Sequence, residues 1–200
     1  GGGVLLNQCP HQLDLLQWLC GMPEQVTAQI GIGRHHRIEV EDEVTAMLRY
    51  PGGATGVFVT GTGEAPGTNR LEIVGSRGTL IADGPGLRFR RNREPTEKHL
   101  KKCPDSFATP ECWDCTITIE PGDGGQHATI LENFAQACRG KDKLMAPAVE
   151  GIHGVELACA MLYSGFTGKP VDLPLDPAAY ERANYLDVLD SYSPAPGVRR

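Results

Sequence analysis

No stretch of this 200-residue sequence is apolar for long enough to cross a membrane as a helix, and Leu5-Leu6 is too brief for a signal-peptide core. A surplus of basic charge is missing as well. Nineteen Lys and Arg stand against 25 Asp and Glu, a net charge of −6, which argues against nucleic acid or an anionic membrane as the main partner. The one basic cluster, Arg88, Arg90, Arg91 and Arg93, reads as a solvated strand edge. The cysteines do not pair off: there are seven, and Cys20, Cys138 and Cys159 fall in apolar, helix-like segments. An odd count in such settings predicts reduced thiols and a soluble, cytoplasmic protein. The first residue is Gly rather than Met, so the expectation is that sequence is missing upstream.

A nucleotide-binding βαβ unit is also absent from the pattern. Gly31-Ile32-Gly33 runs into Arg34-His35-His36, and Gly61-Thr62-Gly63 leads to another strand. Without a following helix, neither pair offers the N-terminal dipole that holds a pyrophosphate, so both read as turns or bulges. Metal signatures are weak. Cys112 and Cys115 have ligand spacing, but a site would need Cys103 and a fourth group such as His99, so no metal is expected. His35 and His36, placed on opposite sides of a strand, read as solvent-exposed.

What is present divides into helix, strands, then helices. Gln25–Arg34, Glu43–Tyr50, Ala54–Thr60, Asn69–Val74, Thr79–Ala82, Leu87–Arg91 and Trp113–Glu120 read as strands, most of them joined by Gly-rich turns. Short turns predict an antiparallel meander. Arg93–Pro110 reads as an irregular excursion. His127–Arg139 and Glu150–Gly165 carry apolar stripes of helical period, the second with Val155, Leu157, Ala158, Met161 and Leu162 facing inward. Val171–Leu175 reads as an edge strand and Pro177–Leu189 as a surface helix, with a disordered tail beyond. The expected class is α+β: an open, largely antiparallel mixed sheet with helices on one face. Residues 1–176 would form the domain, and residues 177–200 the last helix and tail. Val44, Ala46 and Leu48, or Val57 and Val59, leave apolar surface on the second face, so a partner subunit is expected there.

The opening segment is the most informative. Asn7, His11 and Asp14 stand at i, i+4 and i+7, one face of a helix, amid Leu13, Leu15, Leu16, Trp18 and Leu19. Gly21 and Pro23 end that helix, and Pro10 either starts it or kinks a longer one. Two readings of His11 stay open on spacing alone. One is a buried histidine bonded to an aspartate; the other is a general base, with Asn7 holding a hydroxyl.

The run GGGVLLNQCPHQLDLLQWLCGMP resembles the segment that opens the C-terminal domain of the glucose–fructose oxidoreductase / inositol dehydrogenase (Gfo/Idh/MocA) family. The resemblance continues through EDEVTAMLRYPGGATGVFV, PGTNRLEIVGSRGTLIAD, ILENFAQACRGKDKLMAPAVEGIHGVELACAML and VDLPL. It implies the substrate-binding half of an NAD(P)-dependent oxidoreductase, oxidising a secondary hydroxyl of a sugar, nucleotide sugar or cyclitol or reducing the ketone. The N-terminal Rossmann domain would be absent from this chain, and NAD or NADP would bind mainly there. His11 would be the catalytic base. Asn7, where the family often has Asp, would contact substrate together with His127, and Asp14 would support the helix or the ring. A homodimer or homotetramer through the open sheet face is implied. The chain alone would be inactive. The alternative is a non-catalytic carbohydrate-binding or dimerisation module with the same fold.

Overall fold

The computed structural model describes residues 2–84, 86–105, 107–118 and 125–183. Two compact units emerge, one from Gly1–Glu64 with Asn133–Arg200 and the other from Ala65–Glu132.

The first unit is a helix layer on one face of a sheet. Helix α1 (Pro10–Cys20) is followed by strands β1 (Gln25–Ile32), β2 (Glu41–Arg49) and β3 (Thr55–Gly61). Later in the chain come α4 (Gly151–Thr167), the short strand β8 (Val171–Asp172) and α5 (Pro177–Arg182). The sheet order is β3-β2-β1-β8, antiparallel at each pairing. Alternation in β2 turns Val44, Ala46 and Leu48 inward and Thr45 and Met47 outward. The inward set packs with Val26, Leu13, Leu157 and Met161, and Leu5 ahead of α1 joins the same core. Gly165 permits the close approach of α4 to β1, since a Cβ there would lie 2.6 Å from Ile30 Cγ2. Ser164, wholly buried, accepts the Ala28 N–H at 2.9 Å and donates to the Lys169 carbonyl at 2.7 Å. That bond serves Ala28 beyond the end of β8, which pairs only with Gln25 and Val26.

The second unit holds β4 (Leu71–Gly75), β5 (Gly78–Ala82), β6 (Gly86–Asn92), α2 (Thr96–Lys102) and β7 (Cys112–Thr118). Its sheet runs β4-β5-β6-β7, again antiparallel. Ile81 is its one buried apolar side chain among the described residues. Helix α3 (Gln126–Cys138) straddles the division between the units.

The α+β class and the antiparallel pairing are as the sequence predicts, with the strands shared between two sheets instead of one. Several details differ. Helix α2 forms inside the excursion expected to be irregular, with Asn92 Nδ2 and the Ser76 carbonyl both bonded to its first residue, Thr96. The arginine-rich strand β6 is central, not an edge. Its charges are met across β7, with Arg91 over the Trp113 ring at 5.5 Å and Arg90 3.9 Å from Asp114. Val155 is exposed rather than buried, and so are Ile130, Leu131 and Phe134 of the α3 stripe. The outer part of the predicted last helix, the tail, and residues 119–120 of the predicted strand lie outside the described residues.

Candidate active site

The candidate site is built where the turn ahead of α1 meets β2 and β3 of the first unit. Pro10 does not kink a continuous helix. A π-helical turn at Val4–Gln8 precedes α1, Cys9 breaks the run with φ −110° and ψ 15°, and Pro10 takes the first position of α1. Asn7 and His11 therefore belong to two different turns, and the one-face argument that assumed a single helix does not hold. Both side chains are exposed. Asp14 is exposed too and accepts a hydrogen bond from Gln17 Nε2 at 2.9 Å; it does not bond the His11 ring. The buried-histidine reading is thus set aside. Nor is α1 enclosed by its leucines: Leu13 is its one buried residue, while Leu15, Leu19 and Trp18 are exposed, Trp18 by 74%. His127, exposed near the start of α3, belongs to the second unit.

Two neighbouring carboxyls, Glu41 and Asp42, organise this corner, and both are buried. Glu41 Oε1 accepts the Leu5 N–H at 3.1 Å, inside the π-helical turn, while Oε2 is buried without a partner. A Cβ on Gly3 would lie 2.1 Å from that second oxygen, so the turn fits only because residue 3 is glycine. Burial pushes the Glu41 carboxyl above its ordinary range, against the lowering pull of the Leu5 N–H, and the Asp42 charge adds to the rise. A second anchor lies one turn on, where Cys9 Sγ sits 3.0 Å from Thr60 Oγ1 of β3.

Asp42 shapes the β1–β2 loop. Its Oδ1 accepts the Arg34 N–H at 2.9 Å, and its Oδ2 accepts those of His35 at 2.7 Å and His36 at 2.9 Å. Burial alone would raise the Asp42 pKa; the three N–H groups outweigh it and hold the carboxylate below its ordinary range. His35 and His36 are accordingly not bare strand side chains. His35 Nε2 lies 2.9 Å from Glu43 Oε2, and Arg34 Nη1 donates to Glu43 Oε1 at 2.7 Å. These two bonds, His35 first, hold Glu43 below its ordinary range. His36 Nδ1 lies 3.0 Å from Thr62 Oγ1. The glycines around them act as the turn-and-bulge reading expects, with the β1–β2 register shifting between Gly31 and Ile32.

The signal for these two carboxyls lay in the sequence: two adjacent acids opening an apolar-alternating strand, where one must face the core and requires donors. In the second unit, a cleft of about 500 Å³ is lined by Arg93, Glu94, His99 and Glu111. No group of three or more His, Cys, Asp or Glu among the described residues could hold a metal, and every cysteine is free. The described residues offer no dinucleotide cradle either: both sheets are antiparallel throughout, and neither glycine pair opens a helix.

The first unit is thus a helix-on-sheet α+β fold with an exposed imidazole at the leading end of its first helix. Residues 1–81 match the family model of the GFO/IDH/MocA C-terminal domain. Over 79 residues the chain is 35% identical to bovine (Bos taurus) trans-1,2-dihydrobenzene-1,2-diol dehydrogenase, covering 38% of this chain and 22% of that protein. The WlbA dehydrogenase of Bordetella pertussis, solved with NADH and UDP-GlcNAcA, is 26% identical with a TM-score of 0.58. That match covers 88% of this chain and 46% of WlbA. Levoglucosan dehydrogenase, solved with NADH and L-sorbose, shares the fold at a TM-score of 0.67 and 17% identity, over 88% of this chain and 51% of its own. The chain spans about half the length of these solved proteins and 22% of the bovine relative. These relatives are dehydrogenases, and the two solved ones were crystallised with NADH. No helix among the described residues is long and apolar enough to cross a membrane.

Proposed function

We propose that this chain is the substrate-binding half of an NAD(P)-dependent oxidoreductase acting on a secondary hydroxyl of a sugar, nucleotide sugar or cyclitol. The observation that carries the reading is the anchoring of the turn before α1. Glu41 and Thr60 fix the backbone around Leu5 and Cys9, and His11 stands exposed two residues beyond Cys9. The relatives bound to UDP-GlcNAcA and L-sorbose support the substrate class.

In this reading His11 removes the hydroxyl proton, and Asn7 donates or accepts a hydrogen bond without changing charge. Asn7 cannot serve as a base, so the proton falls to His11. Asp14, through Gln17, steadies α1. A nicotinamide cofactor, when bound, would supply the acceptor for the carbon's hydride. A base of matched pKa contributes about 10²- to 10⁴-fold. The bare Leu15, Trp18 and Leu19 on α1 are a surface for that cofactor-holding partner to cover. The open sheet face, with Met47, Val57 and Val59 exposed, is the oligomer contact.

The test is a nicotinamide-reduction assay on a polyol and nucleotide-sugar panel, with this chain joined to a nicotinamide-binding Rossmann domain. His11→Ala should lower kcat by at least about 10²-fold with a much smaller effect on substrate affinity. No nicotinamide reduction with any substrate, or an equal loss of kcat and affinity, overturns the proposal in favour of a binding module.

A further inference from the structure

The two buried acids at this corner are served unequally. Asp42 has three backbone N–H groups divided between its two oxygens, as a carboxylate sealed from water requires. Glu41, only 1% exposed, has the Leu5 N–H on Oε1 and no partner on Oε2 among the described residues, and Gly3 closes over that second oxygen. With one donor, and with the Asp42 charge beside it, the neutral acid is the form that fits this place. Burial first, and Asp42 after it, push the carboxyl above its ordinary range. The turn, β1 and β3 bring no titratable side chain to it. Helix α4 also packs against the turn and carries His153, Glu156, Cys159 and Tyr163, none of which acts on the carboxyl.

Hydrogen bonds lead from that carboxyl to the candidate base. The Leu5 N–H that Glu41 holds lies inside the π-helical turn. There the Gly3 carbonyl accepts the Asn7 N–H and the Val4 carbonyl accepts the Cys9 N–H, each at 3.0 Å. The Cys9 carbonyl then accepts the Leu13 N–H at 3.0 Å and closes the first turn of α1 around His11. Asn7 and His11 are both exposed, so the backbone beneath them sets where they stand. Thr60 holds the far end of the turn at Cys9, and Glu41 tethers the near end.

We propose that Glu41 is a positioning residue: as the neutral acid it latches the π-helical turn and so sets Asn7 and His11 for substrate, and its ionisation releases them. The substrate comes from the oxidoreductase reading, on which the consequence rests, while the latch stands on the contacts themselves. Ionisation would leave a buried charge with one donor next to a second carboxylate, a cost relieved when the turn lifts Leu5 and water reaches the oxygens. Because the latched form holds the proton more tightly, latching is complete below the ordinary carboxylate value of 4.5 and is lost as pH rises through the folded pKa of Glu41.

The experiment is amide hydrogen exchange by ¹⁵N NMR on the full chain and on Glu41→Gln, from about pH 5 to about pH 9, without substrate or cofactor. In the parent, protection of the Leu5 amide, with intrinsic exchange divided out, should fall by up to about tenfold per pH unit and then level off. The Ala28 amide, bonded to Ser164 elsewhere in the core, should keep its protection throughout. Glu41→Gln retains an acceptor and cannot ionise, so its Leu5 protection should stay flat. The His11 ring signals of the two proteins should converge toward acid pH and separate toward alkaline pH, which an acid that only supports the core would not cause. Leu5 protection that is constant with pH in the parent overturns the latch. A Leu5 response with His11 signals identical in both proteins at every pH overturns the positioning role. If Glu41→Gln does not fold, the ¹³C signal of the Glu41 carboxyl in the parent decides: titration in step with Leu5 protection supports the latch, and titration out of step refutes it. Turnover is not read, so failure of the His11→Ala assay and failure of the latch are separate results.

Discussion

At the residue scale, the two adjacent acids of β2 have opposite responses to pH. Glu41 holds its proton more tightly folded than unfolded, because burial costs the charged form most. Its contribution to stability is therefore full below the ordinary carboxylate value of 4.5 and is lost as pH rises through its folded pKa. Asp42 is the reverse: held below its ordinary value of 3.8, it stabilises the fold above that pH and ceases to as pH falls through its lower folded value. Glu41→Gln retains an acceptor for the Leu5 N–H and cannot ionise. Its melting temperature should gain on that of the parent chain between about pH 4 and about pH 8. Thermal unfolding monitored by circular dichroism across that range checks the prediction, and parallel curves refute it. Asp42→Asn, left with a single acceptor oxygen for three N–H groups, should instead cost about 2–3 kcal/mol near neutral pH by chemical denaturation.

At the element scale, alternation in β2 and most of the stripe of α4 were legible because each records which side faces the core. Val44, Ala46, Leu48, Leu157 and Met161 all fall where their period puts them. Legibility failed where a tertiary contact or a missing cover decides the outcome. The π-helical turn before α1 depends on a buried carboxyl 36 residues away, and no local pattern reports it. Helix α2 rests on Ser76 and Asn92 of neighbouring segments. Leu15 and Trp18 read as core because an apolar residue looks the same to periodicity whether its cover lies in this chain or elsewhere. His11 was legible as a candidate; the corner formed by Glu41, Asp42, Thr60 and Thr62 was not, since it joins four side chains through contacts that sequence spacing does not encode. The attachment of α4 to β1 offers a direct measure of such contacts. Ser164→Ala would strand the Ala28 N–H and the Lys169 carbonyl in the core, at a cost of about 1–3 kcal/mol in chemical denaturation. Gly165→Ala would press a methyl against the stiff, β-branched Ile30 and should cost about as much through overpacking. A loss within about 0.5 kcal/mol in both would mean that α4 can move off the sheet without penalty.

At the scale of the whole molecule, the first unit's sheet has one face filled by α1 and α4 and one left bare. On the bare face the register places Met47 opposite Val57 and Thr45 opposite Val59, with Thr27 beside Met47 on β1. Met47, Val57 and Val59 are 64%, 68% and 59% exposed, so the three make a contiguous apolar strip instead of scattered surface residues. Antiparallel sheets that meet water on one face normally carry polar residues there, and this one does so at Thr27, Gln29 and Thr45 but not along the strip. A second copy laid face to face would cover like with like, which is how a two-fold interface matches itself. The residues that would meet have no inward contacts to lose, and this separates association from folding. Val57→Lys combined with Val59→Lys should therefore convert the chain from a dimer or higher oligomer to a monomer in sedimentation velocity. Its thermal midpoint, measured at a concentration where both forms are monomeric, should stay within a few degrees. A parent chain that sediments as a monomer at tens of micromolar removes the sheet face from the account of assembly. A double variant that keeps the parent's mass would place the oligomer contact on another surface, with the bare face of α1 around Trp18 the next to be changed.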